Sequence, residues 1–250
     1  YLGDQNAERQ YRMDARKRLY SAVGPLRFQL LMACAEYANR IGRMSDGKYR
    51  YDMSMARYFG RSTAYRLIRT LAVSELIERQ IAYADFSIDP AMRALLRFKQ
   101  QAFLCLSSHQ VSLNHPDADW TRQHQHVFYD NLTMIASAMI VDEAGGNARI
   151  LRFDEFMNMA EADGLARFAP VPDLLTEFTP EKKPILWLRL IALAQLCIGF
   201  VERHGEDLGL DITPIDTKAA LELSQDRHIT AHRDTYLETM RTFGNSFAGP

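Results

Sequence analysis

Cysteine, glycine-rich phosphate loops and long apolar runs are all scarce in this chain. Its 250 residues include three cysteines, Cys34, Cys105 and Cys197. They are odd in number, far apart and each set in an apolar helical run, which excludes a disulfide framework and a zinc cluster and suits small buried hydrophobes in a reducing compartment. Missing as well are a G-x-S-x-G elbow, a phosphate loop, a dinucleotide fingerprint and a Cys/His nucleophile arrangement. The acidic pairs Asp142-Glu143 and Asp154-Glu155 suit solvated helix ends better than a catalytic dyad. An enzyme is therefore not expected; no catalytic residue, resident metal or cofactor is assigned. The most apolar stretch, Ile185 to Val201, contains Arg189 and Gln195 and sits at the short limit for a bilayer, so it reads as a buried helix and not a membrane span. With no secretory signal in view, a cytoplasmic location is expected, whether or not the chain begins inside a longer gene product.

Net charge is also nearly absent, at −1, but it is not evenly spread. Residues 1 to 70 carry fourteen Lys or Arg against six acids, whereas residues 101 to 180 carry four against eleven. Such segregation suggests one part that meets a polyanion, since neutralising phosphates dominates affinity for nucleic acid. Hydrophobic residues make up 47% of the chain, enough for a proper core at this length.

What is present is organised around Tyr51 to Arg79, which reads as two short helices meeting at a turn. Met53, Ala56 and Phe59 would face inward on the first, Gly60 would let the chain turn, and Ser62 would cap the second, with Leu67, Ile68 and Leu71 on its buried stripe. The opposite side offers Arg61, Ser62, Thr63, Tyr65, Arg66, Arg69 and Thr70, a cationic and polar set suited to phosphates and base edges in a major groove. Leu76 to Ile81 and Phe86 to Ile88 read as two brief strands of a hairpin, and Lys48 to Tyr51 as a short strand pairing with it. Arg43, Lys48 and Arg50 would track the DNA backbone.

These residues resemble the winged helix-turn-helix transcription regulators of the MarR type over residues 25 to 90. The resemblance is carried by Met55-Ala56, Phe59-Gly60, Ser62, Arg66-Leu67-Ile68, Leu71 and Leu76-Ile77-Glu78-Arg79. It implies a mainly α fold with a small β-wing and a recognition helix in the major groove of double-stranded DNA. The expected organisation is a basic helical arm at 1–24, the winged domain at 25–92, a helical linking or dimerising region at 93–183, and a helical domain at 184–250. Residues 4 to 20 could serve equally as a DNA arm or as a solvated or exchanged helix in a homodimer. Asp119 to Asp142 reads as one long amphipathic helix, Ile150 to Phe153 as a strand, and 154–162 and 172–178 as helices.

The final third repeats the layout of the first: an apolar helix at 185–204, an extended segment at 210–213, a short helix at 216–223 and a longer one at 229–243. A diverged second helix-turn-helix is thus one expectation, with Arg227, His228, Thr230, His232 and Arg233 as its DNA contacts. His228 and His232 also stand at helical i, i+4 spacing. With His124, His126 or Asp130 they could build a tertiary metal site, as in the helical effector domains of GntR-type regulators that His124 to Met139 resembles, although solvated helix histidines are the competing reading. Phe153, Met157, Met159, Phe168 and Trp187 could line a pocket for a small-molecule effector or pack in the core. The function expected from these readings is a sequence-specific DNA-binding transcription regulator. The alternatives are a plasmid-type replication initiator or partition protein with paired winged helices, or a helical protein-interaction or metal-binding protein.

Overall fold

Helix formers at 3.6-residue spacing dominate this sequence, and the chain is accordingly mainly helical, 70% of it, with one two-stranded sheet among the described residues. The computed structural model describes residues 2–48, 51–81, 90–144 and 147–247. In chain order the helices are α1 (Leu2–Ser45), α2 (Tyr58–Ile81), α3 (Pro90–Ser107), α4 (His109–Ser112), α5 (Tyr129–Ala138), α6 (Phe153–Asp163), α7 (Val171–Leu175), α8 (Pro184–His204), α9 (Thr217–Glu222), α10 (Arg227–Ala231) and α11 (Arg233–Gly244). Strands β1 (Ile140–Asp142) and β2 (Ala148–Ile150) pair antiparallel between α5 and α6, with Ile140 opposite Ile150.

The core is layered around α8, which packs on α1, α3 and α11, while α2 packs on α1, α3 and α5. Several large polar side chains inside bond to backbone, as burial favours. Tyr37 Oη donates to Leu190 O at 3.1 Å, and Trp187 Nε1 donates to Ala220 O at 2.7 Å. The Gln125 side-chain oxygen accepts from the Ile185 and Leu186 amides, filling donors that the start of α8 leaves open. Arg189 is fully buried, has no carboxylate partner among the described residues, and donates to Cys105 O and Ser108 O at the end of α3, where a helix dipole favours a cation. All three cysteines are free and buried. Helix α8 is long and apolar enough to cross a bilayer, but 83% of its apolar window lies inside the fold.

Several expected elements take a different form. The turn at Gly60 does not form: Tyr58 to Ile81 is one helix, and Leu76 to Ile81, expected as a strand, is its last turn and a half. Phe86 to Ile88 lies outside the described residues. Gly60 serves close approach and not a reversal, because a Cβ there would lie 2.5 Å from Ser54 O and 2.7 Å from Met53 O. The region before it is also irregular where a strand was expected, with Lys48 in a bend and Tyr51 in coil.

Helix α1 runs through Gly24-Pro25 without ending, so the expected arm and first core helix are one element. Pro25 removes one backbone bond. Burial of Val23 before it and of Leu26, Leu30, Leu31, Cys34 and Tyr37 after it holds the helix across it. The expected single helix over 119–142 is divided: turns to residue 128, then α5 and β1, with Trp120 and Phe128 exposed at 39% and 40%. Residues 211–213 form no strand; Asn39 of α1 pins them instead, donating to Asp211 O and accepting from Thr213 N. The last expected helix is broken at His232 into α10 and α11.

Candidate anion-binding site

The site lies where the last turns of α1, the connection at 46–57 and the start of α2 meet. Asp52 Oδ1 accepts from Ser54 N at 2.9 Å and Ser54 Oγ from Ala56 N at 3.2 Å, so two successive side-chain turns shape the connection. They bring Tyr51 flat against Phe59, with ring centroids 4.0 Å apart and planes 9° apart. The Arg40 guanidinium stands 4.1 Å from the Phe59 centroid. Two groups this close to one ring cannot share a face, so Phe59 is held between the tyrosine and the cation.

Arg40 is 8% exposed. It donates to Ser62 Oγ at 3.1 Å and to Thr63 Oγ1 at 3.4 Å. Arg66 donates to the same Ser62 Oγ and, at 3.1 Å, to Ser62 O. Two guanidinium groups therefore converge on one hydroxyl. Among the described residues neither has a carboxylate partner, in contrast to Arg69, paired with Glu36 at 2.9 Å, and Arg61, 3.7 Å from Glu161. Burial, and next the charge of Arg66, push the Arg40 pKa down to about 10, which still leaves it a cation at neutral pH. Desolvating a charge costs several kcal/mol, whereas a desolvated cation–π contact returns about 2 kcal/mol, so the stacking and two hydroxyl bonds offset only part of it. Arg43 and Lys48 are exposed at the same end, as is Arg57, 3.7 Å from Asp52.

The residues proposed to enter a major groove are placed differently. Ser62, Thr63, Tyr65 and Thr70 are buried within the fold and cannot reach base edges. Thr63 Oγ1 donates to Phe59 O and Thr70 Oγ1 to Arg66 O, so their hydroxyls are satisfied by their own helix. Tyr65 Oη donates to Leu151 O at 3.0 Å and its ring meets Phe153 and Phe156 edge-on. Arg61 donates to Met55 O, which ties it to the connection. Arg66 meets Arg40 at Ser62 Oγ and Arg43 is close enough to act on its charge, whereas Lys48 is an exposed bend residue beyond α1 and Arg50 lies outside the described residues.

The five C-terminal candidates do not form a shared cationic face. Arg233 lies 3.4 Å from Glu222, Thr230 Oγ1 donates to Asp226 O, and His228 and His232 stack on each other, leaving Arg227 exposed. Helix α10 spans five residues, short for a recognition helix. The residues gathered beside His228 are His115, His232 and Tyr236 rather than His124, His126 or Asp130. Of the effector candidates, Phe168 and Trp187 are fully buried, with Phe168 packed on Phe156 and Trp187 on Phe178. A groove of about 650 Å³ lies elsewhere, between Met44, Tyr51 and Met53 on one wall and Phe178, Lys182 and Leu223 on the other.

Sequence reasoning missed Arg40 and the aromatic pair that holds it. The signal was present: Arg40 lies on the stripe of Tyr37, Ile41 and Met44, all buried, and a cation on an apolar stripe needs a partner. Comparison of the chain with protein-family models, with curated proteins and with solved structures found no match.

Proposed function

We propose that this protein binds double-stranded DNA through backbone phosphates, with Arg40, Arg43 and Arg66 at the α1–α2 end as the anion seat and Lys48 and Arg57 beside it. The observation that carries the reading is the convergence of two guanidinium groups on Ser62 Oγ, one of them buried, with no carboxylate partner among the described residues. Guanidinium forks match phosphate oxygens in geometry and charge. Residues 40 to 70 carry eight Lys or Arg against two acids, which gives this end a long-range attraction for a polyanion. This reading keeps the DNA partner expected from charge and replaces base reading by α2 with phosphate contact, because the polar residues of α2 that would read bases are inside. Regulation of transcription would then rest on where phosphates are gripped and on DNA shape.

The test is fluorescence anisotropy of the full chain with a random-sequence duplex. Three phosphate contacts imply a slope of log affinity against log salt near −2.7, so raising salt from about 50 to about 200 mM should weaken binding about 40-fold. Arg66→Ala should weaken binding at every salt and reduce the magnitude of that slope by about one. A duplex bound with the same slope by wild type and Arg66→Ala would remove this site from the interface, and a chain that binds no duplex would end the reading.

A further inference from the structure

Helix α1 carries a stripe that the fold does not use. Among the described side chains from Arg9 to Ala22 every one is exposed, whereas Val23, Leu26 and Leu30 begin the buried side of the helix. A helix solvated all round is marginal in water, because most helical stability comes from packing an apolar face. Such a face is present and points outward. Met13, Tyr20 and Phe28 are 61%, 43% and 50% exposed, and at one turn per 3.6 residues they fall within about 80° of the helix circumference. Gly24 lies on the same stripe, and a Cβ there would meet nothing within 4 Å. Single exposed apolar residues are ordinary; three in one line over about 23 Å, turned away from the buried side, make a seam.

The seam is complementary to itself. Laid antiparallel against a second copy in the register that sets Met13 opposite Phe28, it also sets Asp14 opposite Arg27 and Lys17 opposite Gly24. Apolar side chains then meet apolar ones, carboxylate meets guanidinium, and the lysine stem crosses the one position of the stripe that has no side chain. Asp14 accepts from Gln10 at 3.3 Å and Arg27 donates from Nη2 to His204 O at 3.1 Å. Among the described residues neither has an ion-pair partner, so each keeps its charge for the other copy. Each pairing occurs twice, because a two-fold axis makes the interface isologous. Nucleic acid matches this stripe less well, since Lys17 is its one cation among Gln10, Met13, Tyr20, Gly24 and Phe28.

We propose that α1 pairs antiparallel with α1 of a second copy of this chain along Met13, Tyr20, Gly24 and Phe28, which makes the protein a two-fold homodimer. The pairing buries the apolar stripe and gives the solvated half of the helix the packing it lacks within one chain. It is independent of the anion seat, whose arginines stand at the other end of α1 and on α2.

Sedimentation velocity of the tag-free full chain tests this. The wild type should pass from monomer to dimer between about 1 and about 100 µM, the range of a weak, small interface. Met13→Asp and Phe28→Asp, at exposed positions that the monomer tolerates, should each weaken dimerisation at least about tenfold, because the charge enters the seam twice. Asp14→Arg should weaken it about threefold, and Asp14→Arg combined with Arg27→Glu should recover it, the reversed pair restoring the attraction. Leu208→Asp, at an exposed apolar position outside α1, should leave it unchanged. A chain that stays monomeric throughout, or Phe28→Asp that dimerises as the wild type does, would overturn the proposal. A reversed pair that fails to recover would overturn the register, and a monomeric wild type whose duplex binding is lost in Met13→Asp would give the stripe to nucleic acid instead.

Discussion

Arg40 sets the terms at the residue scale. A buried guanidinium with hydroxyl partners and an aromatic face, but no carboxylate partner among the described residues, is a poor way to stabilise a fold. Replacement by methionine keeps the stem's volume and removes the charge. Arg40→Met should therefore melt at or above the wild-type temperature, with a gain of up to about 2 kcal/mol, because exchanging buried charge for apolar volume is often stabilising. Ser62 keeps its bond from Arg66 in this variant and Thr63 keeps its own to Phe59 O. In the same variant duplex binding should fall. A thermal melt together with the anisotropy titration checks both, and a variant that loses stability while binding normally would make Arg40 a structural residue. The arginine was visible in the sequence as a charge on an apolar stripe; its convergence with Arg66 was not, because the two stand on different helices and the hydroxyl they share lies 22 residues from Arg40 in the chain.

At the scale of elements, α2 shows how one stripe of apolar residues can mislead. Leu67, Ile68 and Leu71 marked the buried side correctly, yet Ser62, Thr63, Thr70 and Ser74 are buried as well. Small hydroxylated residues return their bonds to carbonyls one turn back, as Ser74 does to Leu71 O, and so can line an interface that periodicity assigns to water. The apolar helix α8 and the short helices α6, α7 and α9 were legible within a few residues. What the helices press against was not. Gly199 of α8 is a case: a Cβ there would lie 1.9 Å from Gly244 O at the end of α11, so the two helices meet at backbone distance. Gly199→Ala should force them apart and lower stability by about 1–3 kcal/mol, the usual range for overpacking. In a chain of this size that corresponds to about 2–4 °C in melting temperature for each kcal/mol, readable by calorimetry. An unchanged melt would mean that α11 shifts freely on α8.

For the whole molecule, charge and titration matter more than any one contact. Five of the eleven acidic residues of 101–180 pair with arginines of the same stretch, as in Arg149 with Glu143 and Glu155, or Arg122 with Asp119. Among the described ion pairs Arg61 with Glu161 joins that region to the basic one, so the cationic surplus of the α1–α2 end persists in the fold. Burial, as the leading cause, lowers the pKa of His126, His204 and His228. The native state thus holds them neutral, whereas the unfolded chain takes up their protons below about pH 6.5. Stability should accordingly fall as pH drops from about 7.5 to 5.5, a window above that of Asp226, whose lowered pKa acts only in stronger acid. Melting curves across this range check the sign, and a flat or rising profile would contradict it. By itself the sequence determined the mainly helical class, the buried α8, the free buried cysteines and the segregation of charge, since these follow from composition and local periodicity. Only tertiary structure decided that Gly60 lies within a helix, that the polar side of α2 faces α1, and which histidines meet, because a residue's neighbours across the core are not encoded in its spacing along the chain.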